Sequence, residues 1–356
     1  MSGLPVAEAP VAPVGSAATR LAVAFTGWGA TVPGPPVTND DLAAVLDTSD
    51  EWIATRTGIR ARHVAGPTDT TAALAARAGA AALARAGRTA DEVDLLVVAT
   101  TTPDRSCPST AADVAGLLGT RAAACDVNAA CAGFVAALHL ALPAVATGTS
   151  RVALVVGAER MTSLVDPTDR STAVLFGDGA GALVLETPDP TRTGDDPGPQ
   201  GSRDRPQIRG GGTPGLLSSV LDGDAALVRH LEVPAGERWL RMDGPEVFRA
   251  ATRGLTDSGV EALRRAGATI DDVAWFVPHQ ANRRIIDAVA GRLGLAADRI
   301  VVTLDRHGNT SAASVPLALA EAADDGRLRP GDLVLLSAVG AGMTWGSMVI
   351  RWGAEP

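Results

Sequence analysis

A stretch of 17 residues occurs twice in this chain, the second time 180 positions after the first. Residues 82–98 read ALARAGRTADEVDLLVV, residues 262–278 read ALRRAGATIDDVAWFVP, and nine of the paired positions are identical. Average amino-acid usage in an alanine-rich chain gives roughly one or two matches over this length. The repeat therefore predicts two copies of one structural unit in a single chain.

Each copy has the pattern of an α/β unit, because apolar runs bounded by turn residues alternate with alanine-rich helical stretches. Buried strands are predicted at residues 95–100, 151–157, 274–277 and 332–337. Helices are predicted at residues 70–86, 108–118, 131–146, 245–266, 282–293 and 311–323. A twofold axis between the copies would bring Cys131, which aligns with Ser311 at the same offset, to the loop of Asn309.

The domain boundaries follow from this arrangement. We predict a flexible leader at residues 1–20, a first half at 21–187 and a second half at 213–356. Residues 188–212 are dense in Pro, Gly, Asp and Arg, which indicates a surface loop between the halves. The leader has no charged start and no continuous apolar run, so neither a signal peptide nor a membrane anchor is expected.

The sequence contains no lysine and no tyrosine, which narrows its chemistry. Catalysis through a lysine Schiff base, including covalent pyridoxal phosphate, is excluded. General acid–base work falls to His, Cys, Asp or Glu. With 46% hydrophobic and 20% charged residues over 356 positions, the chain can bury a sizeable core and is not predicted to be disordered.

Charge and cysteine content bear on partners and location. The net charge of -9 argues against generic nucleic-acid binding, although a local arginine patch for an acidic partner stays open. No apolar run approaches the roughly 18 to 20 residues that span a bilayer, so no membrane association is expected. The three cysteines form an odd number without zinc-ligand spacing, which predicts a reducing, cytoplasmic location and no metal site.

Cys131 is the candidate nucleophile. It follows a short strand and begins a long apolar helix, where the helix dipole and free backbone N–H groups are expected to lower its pKa. A small buried core cysteine is the alternative interpretation. Cys107 and Cys125 lack such a setting, and a core or pocket-lining position is expected for both.

His279 and Asn309 are the candidate partners of the nucleophile. His279 ends a predicted strand, and ligands bind at strand ends in open α/β sheets. Asn309 lies in a short polar loop, where a purely structural role as a turn residue is also open. Papain-like proteases use the same three residue types, but their local sequence around the cysteine is missing here.

Four motifs in order identify a resemblance. They are Asn-Ala-Ala-Cys131-Ala-Gly-Phe, His279-Gln-Ala-Asn282, His307-Gly-Asn309-Thr-Ser and Gly342-Met-Thr-Trp-Gly346. From about Leu21 to Trp352, the chain resembles the β-ketoacyl-acyl carrier protein synthase III family of the thiolase superfamily. The resemblance implies a thiolase-like five-layered αβαβα fold, built from two duplicated α/β halves, and a homodimer.

The resemblance also implies an acyltransferase activity and its residues. Cys131 would take the acyl group from acyl-CoA, and the backbone N–H groups of Cys131 and Ala341 would form the oxyanion hole. His279 and Asn309 would donate hydrogen bonds to the thioester carbonyl of malonyl-acyl carrier protein during decarboxylation. The product would be a β-ketoacyl-acyl carrier protein that starts a fatty acid or polyketide chain. No cofactor is expected beyond the coenzyme A thioester that serves as substrate.

Coenzyme A recognition is carried over onto three residues. Trp52 and Arg170 resemble the pair that sandwiches adenine, and Arg56 resembles a phosphate contact. An aromatic face and a planar guanidinium both stack on a base, and arginine also forks onto phosphate. A core tryptophan with solvated arginines is the structural alternative.

Two further expectations concern the carrier protein and the acyl chain. Arg249, Arg284 and Arg292 are candidates for docking the acidic carrier protein, with a solvated arginine face as the alternative. Cys107 occupies a position where some relatives place phenylalanine in the partner subunit's acyl pocket. Its smaller side chain predicts a roomier pocket for longer or branched acyl groups.

Two other functions remain to be weighed. One is a relative that only transfers acyl groups, or that makes a starter unit for a specialised polyketide pathway. The other is a non-catalytic paralogue that binds an acyl ligand or pairs with an active subunit. The presence of Cys131 argues against the latter.

Overall fold

A computed structural model describes residues 21–187 and 214–353. The predicted leader at 1–20 and the predicted surface loop at 188–212 lie outside the described residues. The strands, numbered along the chain, are β1 (Leu21–Ala22), β2 (Ala24–Thr31), β3 (Pro36–Thr38), β4 (Ala61–His63), β5 (Leu95–Ala99), β6 (Ala123–Val127), β7 (Val152–Arg160), β8 (Asp178–Glu186), β9 (Gly215–Gly223), β10 (Leu231–Glu232), β11 (Arg241–Met242), β12 (Val273–Pro278), β13 (Leu333–Gly340) and β14 (Thr344–Arg351).

The helices are numbered in the same way. They are α1 (Asn39–Ala43), α2 (Asp50–Thr57), α3 (Thr71–Ala86), α4 (Thr110–Leu118), α5 (Gly133–Ala146), α6 (Arg170–Ala173), α7 (Gly244–Ala266), α8 (Arg283–Leu293), α9 (Leu304–His307) and α10 (Ser314–Asp324). The predicted helices are confirmed, and their ends differ by at most three residues. Several N-terminal ends differ because Thr70, Ser109 and Asn282 are N-caps whose side chains accept backbone N–H bonds.

Two five-stranded sheets share a topology of four strands, which confirms the duplication: β2-β8-β7-β5 corresponds to β9-β14-β13-β12, and β6 and β1 are additional edge strands. The first has the order β2-β8-β7-β5-β6 and the second the order β1-β9-β14-β13-β12. In the first sheet β5 is parallel to β6 and β7, and β8 is antiparallel to β7 and β2. In the second, β12 is parallel to β13, and β14 is antiparallel to β13 and β9.

The layers stack in the αβαβα order expected. Helices α3 and α4 cover the outer face of the first sheet, and α7 and α8 cover the outer face of the second. Helices α5 and α10 contact both sheets and form the middle layer. Apolar side chains from both halves join there in one buried cluster, including Phe134 and Leu138 of α5 and Val315 and Leu319 of α10. Burial from two sides explains why both helices read as nearly continuous apolar sequence.

Each middle helix is preceded by a short 3₁₀ turn with the same unusual backbone. The turns are Ala130–Ala132 before α5 and Ser311–Ala313 before α10. Ala130 and Ser311 open them with φ values of 48° and 49°, the left-handed region that non-glycine residues rarely adopt. The sequence-based alignment of Cys131 with Ser311 is therefore wrong by one residue, since an extra residue before the second turn makes Ala312 the counterpart of Cys131.

No helix among the described residues is long and apolar enough to cross a membrane.

Candidate active site

Cys131 lies at the centre of the molecule, in the turn between β6 and α5. Asn128 holds the turn, because its side-chain oxygen accepts the backbone N–H of Ala130 at 3.2 Å. The thiol is buried, with 8% of the residue exposed. The predicted position at the start of a long apolar helix is confirmed, and the 3₁₀ turn precedes the first full turn of that helix.

The second half approaches this turn through bare backbone at the end of β13. A Cβ atom built on Gly340 would lie 2.6 Å from the backbone nitrogen of Cys131 and 2.6 Å from the carbonyl oxygen of Ala129. Any side chain at this position would displace the turn. The next residue, Ala341, lines the same cavity as Cys131.

The expected lowering of the Cys131 pKa is wrong. Burial raises the pKa of the thiol to about 12, and the nearby carboxylate of Glu159 adds to this. Hydrogen bonds from the Ser311 hydroxyl and a backbone N–H act in the opposite direction and are outweighed. The helix terminus does not dominate, because the thiol sits between two sheets rather than at an exposed helix end.

His279 follows the last residue of β12. Its backbone N–H donates to the carbonyl of Ser337 at 2.7 Å, and its Nδ1 atom lies 2.7 Å from the Ser314 hydroxyl. Burial lowers the pKa of His279 to about 3. The imidazole is therefore neutral at physiological pH, and one of its two nitrogens is already engaged.

Asn309 is held at three points. Its backbone N–H donates to Leu175 at 2.8 Å, and its carbonyl accepts from Gly177 at 3.0 Å. Its side-chain oxygen accepts the backbone N–H of Ser311 at 2.9 Å, the same contact that Asn128 makes in the first half. The structural and functional interpretations of Asn309 are thus compatible, since the turn uses the oxygen and leaves the amide N–H₂ group available.

Cys131 borders two cavities. One, of about 300 Å³, is also lined by His279 and Asn309, which places the three predicted residues around a single space. Arg56 and Arg284 line the same cavity. The other, of about 380 Å³, has a largely apolar wall, whose residues include Met161, Leu164, Phe176, Leu231 and Leu240.

The residues predicted to bind coenzyme A cluster beside the first cavity. The guanidinium carbon of Arg56 lies 4.5 Å from the centre of the Trp52 ring, and that of Arg170 lies 5.1 Å from it. Arg170 also donates to the backbone oxygen of Asp47 at 2.7 Å. Trp52 is half-buried and packs against the edge of a hydrophobic cluster of the second half, and both guanidinium groups lie over its ring.

The predicted docking arginines are all exposed, but only Arg284 reaches the cavity. Arg249 is paired with Glu246, one turn earlier on α7. Arg292 lies near the end of α8. Cys107 and Cys125 are both exposed, and neither lines the two cavities of the single chain. The expectation of a core or pocket-lining position is therefore wrong for Cys125, which lies on the edge strand β6, and is not met by Cys107 within one chain.

Sequence reasoning missed a buried polar network behind the nucleophile. Glu159, at the end of β7, accepts hydrogen bonds from the backbone and hydroxyls of Thr101 and Thr102 and from the Ser311 hydroxyl at 3.1 Å. Burial raises the pKa of this carboxyl. The available signal was the charged residue that follows the apolar run of β7. Ser314, the partner of His279, was missed as well.

The sequence matches two family models and known relatives. Residues 125–195 match the family model of 3-oxoacyl-[acyl-carrier-protein] synthase III, and residues 263–352 match the model of its C-terminal part. Beta-ketoacyl-[acyl-carrier-protein] synthase III of Rhizobium meliloti (strain 1021) is 48% identical over 333 residues, which is 92% of this chain and 98% of that protein.

Two solved structures are similar over nearly their whole length. The 3-oxoacyl-[acyl-carrier-protein] synthase III of Aquifex aeolicus VF5 gives a TM-score of 0.83 with 38% identity, covering 93% of this chain and 100% of that one. The priming β-ketosynthase of the R1128 polyketide biosynthetic pathway gives 0.85 with 36% identity, covering 97% and 100%.

Fold and site together define a condensing enzyme of the thiolase type. Within that class, the chain belongs to the β-ketoacyl-acyl carrier protein synthase III family, as its sequence resemblance predicted.

Proposed function

We propose that this protein condenses an acyl-CoA starter with malonyl-acyl carrier protein, with loss of carbon dioxide, through an acyl group carried on Cys131. The observation that carries the proposal is the single cavity that joins a buried thiol to two neutral hydrogen-bonding side chains, His279 and Asn309. The second cavity that Cys131 borders also has apolar side chains in its wall and offers room for an acyl chain.

In the first half-reaction, the Cys131 sulfur attacks the thioester carbonyl of acyl-CoA. The tetrahedral oxyanion would be stabilised by the backbone N–H groups of Cys131 and Ala341, which the close approach of Gly340 brings together. The bond to the CoA sulfur breaks, and the proton of the Cys131 thiol ends on the released coenzyme A. The raised pKa of Cys131 makes this coupled proton movement part of the step.

In the second half-reaction, malonyl-acyl carrier protein enters the cavity of His279 and Asn309. Loss of carbon dioxide leaves an enolate, whose oxygen would accept hydrogen bonds from both side chains. These bonds strengthen as charge develops, so they lower the barrier more than they stabilise bound substrate. The enolate carbon attacks the acyl-Cys131 carbonyl, and Cys131 leaves as thiolate and regains a proton.

The binding surfaces follow the same assignment. Adenine would enter between Trp52 and Arg170, Arg56 would contact phosphate, and Arg249, Arg284 and Arg292 would attract the acidic carrier protein.

We further propose a cytoplasmic homodimer that needs no metal or cofactor. The open edge of β6, with Cys125 exposed on it, and the exposed side chains of Leu117 and Leu140 support the dimer. Cys107 of one subunit would then border the acyl pocket of the other.

A second candidate function is the making of a starter unit for a specialised polyketide. The similarity to the R1128 priming β-ketosynthase favours it. The residues and chemical steps would be the same, and the acyl-CoA and the carrier protein would differ.

The test is intact-protein mass after incubation with a panel of acyl-CoAs, followed by malonyl-acyl carrier protein, with Cys131→Ala as control. An adduct that depends on Cys131 and clears with release of carbon dioxide and β-ketoacyl product is expected, and its mass identifies the starter. An adduct that clears only to other acceptors, without carbon dioxide, would leave a pure acyltransferase. No adduct from any acyl-CoA would overturn the proposal.

A further inference from the structure

Ser314 makes the only hydrogen bond to the His279 ring among the described residues. It is the first residue of α10 and is 1% exposed. Its hydroxyl oxygen lies 2.7 Å from Nδ1 of His279 and 3.3 Å from the backbone nitrogen of Gln280. Two groups, the His279 ring and the Gln280 backbone N–H, therefore meet at one buried oxygen.

The direction of these hydrogen bonds follows from counting donors. The backbone N–H of Gln280 can only donate, so it occupies one lone pair of the Ser314 oxygen. The Ser314 proton then needs an acceptor, and Nδ1 of His279 is the one that the described residues provide. Were Nδ1 protonated instead, a buried hydroxyl proton would be left without a partner, which is unfavourable.

We propose that Ser314 is a positioning residue that donates to Nδ1 of His279 and thereby places the ring proton on Nε2, facing the cavity. His279 is then a fixed hydrogen-bond donor and does not serve as a base toward Cys131. This inference rests on the proposed condensation for its catalytic meaning, but the tautomer itself is a property of the protein without substrate.

The corresponding place in the first half supports this reading of the second. By the duplication, His279 corresponds to Ala99 and Ser314 to Gly133. A Cβ atom built on Gly133 would lie 3.3 Å from the Cβ of Ala99, so the two backbones meet in both halves. In both halves the residue at the end of the strand packs against the first residue of the middle helix, but only in the second half do these residues carry an imidazole and a hydroxyl.

The direct test is nuclear magnetic resonance of protein labelled with ¹⁵N-histidine, at pH 7 and without substrate. The His279 signals are assigned by their loss in His279→Gln. We expect a protonated Nε2 and an unprotonated Nδ1. A protonated Nδ1 in the wild-type protein would overturn the proposal, whatever any variant does.

Two variants of Ser314 connect the tautomer to the reaction. Ser314→Ala is expected to populate the other tautomer and to slow condensation by about 10- to 100-fold, less than the roughly 10²- to 10³-fold loss of a whole donor. Acylation of Cys131 should stay within about threefold of wild type. Ser314→Thr keeps the hydroxyl and should keep both the tautomer and the condensation rate.

Ser258→Ala is the matched control, because its buried hydroxyl pairs with Ser347 at 2.7 Å, away from both cavities. Equal losses of condensation in Ser258→Ala and Ser314→Ala would reduce the role of Ser314 to general packing and overturn the proposal. If the wild-type protein forms no acyl adduct or no condensation product, the proposed function fails, whereas the histidine spectrum still decides the tautomer.

Discussion

The two halves of the molecule use one backbone device for two kinds of chemistry. In each, an asparagine side chain accepts the N–H of a left-handed residue, and a 3₁₀ turn then leads into a buried helix. In the first half the middle residue of the turn is the nucleophile Cys131. In the second it is Ala312, and the reactive groups lie around the turn instead.

The strand that faces each turn also differs between the halves. Glu159 at the end of β7 reaches the Ser311 turn with a long, fully hydrogen-bonded side chain, whereas its counterpart Gly340 meets the Cys131 turn with backbone alone. The Ser311 turn is held by a hydrogen bond to a side chain, whereas only backbone packs against the Cys131 turn, which leaves space there for substrate. The same turn backbone occurs in both halves, and a few side chains give the first half the proposed nucleophile and the second half the proposed hydrogen-bond donors.

The largest effect should come from moving the nucleophile between the copies. Cys131→Ala is expected to abolish the acyl adduct and to lower condensation more than about 1,000-fold, as removal of a nucleophile does in other enzymes. The double variant Cys131→Ala/Ala312→Cys should not restore it, because the side chain of Ala312 packs toward Gly133 at the start of α5 and lines neither cavity. Adduct mass and carbon dioxide release measure both. Recovery in the double variant would show the turns to be interchangeable.

Removing the two equivalent asparagines should separate structure from catalysis. Asn309→Ala and Asn128→Ala each delete an acceptor that holds a turn, so both should lower stability by about 1 kcal/mol. Asn309→Ala also deletes a donor to the enolate and should slow condensation by about 10²- to 10³-fold while Cys131 is still acylated. Thermal unfolding and single-turnover rates give the comparison. Similar condensation rates in the two variants would contradict the assigned role of Asn309.

Adding one methyl group at Gly340 tests the open side of the nucleophile. Gly340→Ala would press on the backbone of Cys131 and Ala129, which cannot rotate away. We expect a loss of about 100-fold in the rate of Cys131 acylation, since displacements near 1 Å have such effects. Gly116→Ala is the control, because a Cβ there meets nothing within 4 Å. An unimpaired Gly340→Ala enzyme would refute the close packing described for this turn.

The smallest expected effect is on the pH dependence of the free energy of unfolding, and it comes from His279 in the second half. His279 has its pKa lowered from 6.5 to about 3, so between these values the unfolded chain binds a proton that the folded protein does not. The free energy of unfolding should therefore decrease as pH falls through this window, by at most about 1.4 kcal/mol per pH unit from this group. Urea unfolding at pH 7, 6 and 5 should show a shallower decline in His279→Gln than in wild type. Identical slopes would exclude a depressed His279 pKa.

Most of the architecture could be predicted because it leaves local signals. The repeat, the buried parallel strands and the apolar middle helices are each visible as patterns in the sequence. Strands β2, β8, β9 and β14 were not predicted. In β2, Gly27 and Gly29 normally indicate turns, but here they let α3 pack closely, since a Cβ on Gly27 would lie 2.2 Å from the carbonyl oxygen of Ala82.

The residues of the site could be predicted from the sequence, but the pKa values and hydrogen bonds of their side chains could not. Cys131, His279 and Asn309 were named from their motifs, and the structure brings all three to one cavity. The pKa of Cys131 depends on burial by both halves and on Glu159, 28 positions away in sequence. The bond between Ser314 and His279 also joins residues distant in sequence, and it exists only once β12 and α10 are packed together.

The middle layer has a consequence for how this protein folds. Helix α5 belongs to the first half and α10 to the second, yet both are buried in one cluster that includes Trp28 near the start of the described chain and Trp352 near its end. Either half alone would expose an apolar helix, so neither is an independent folding unit. We therefore expect the two halves to fold as one cooperative unit, with Trp28 and Trp352 packed together before the cavities around Cys131 form.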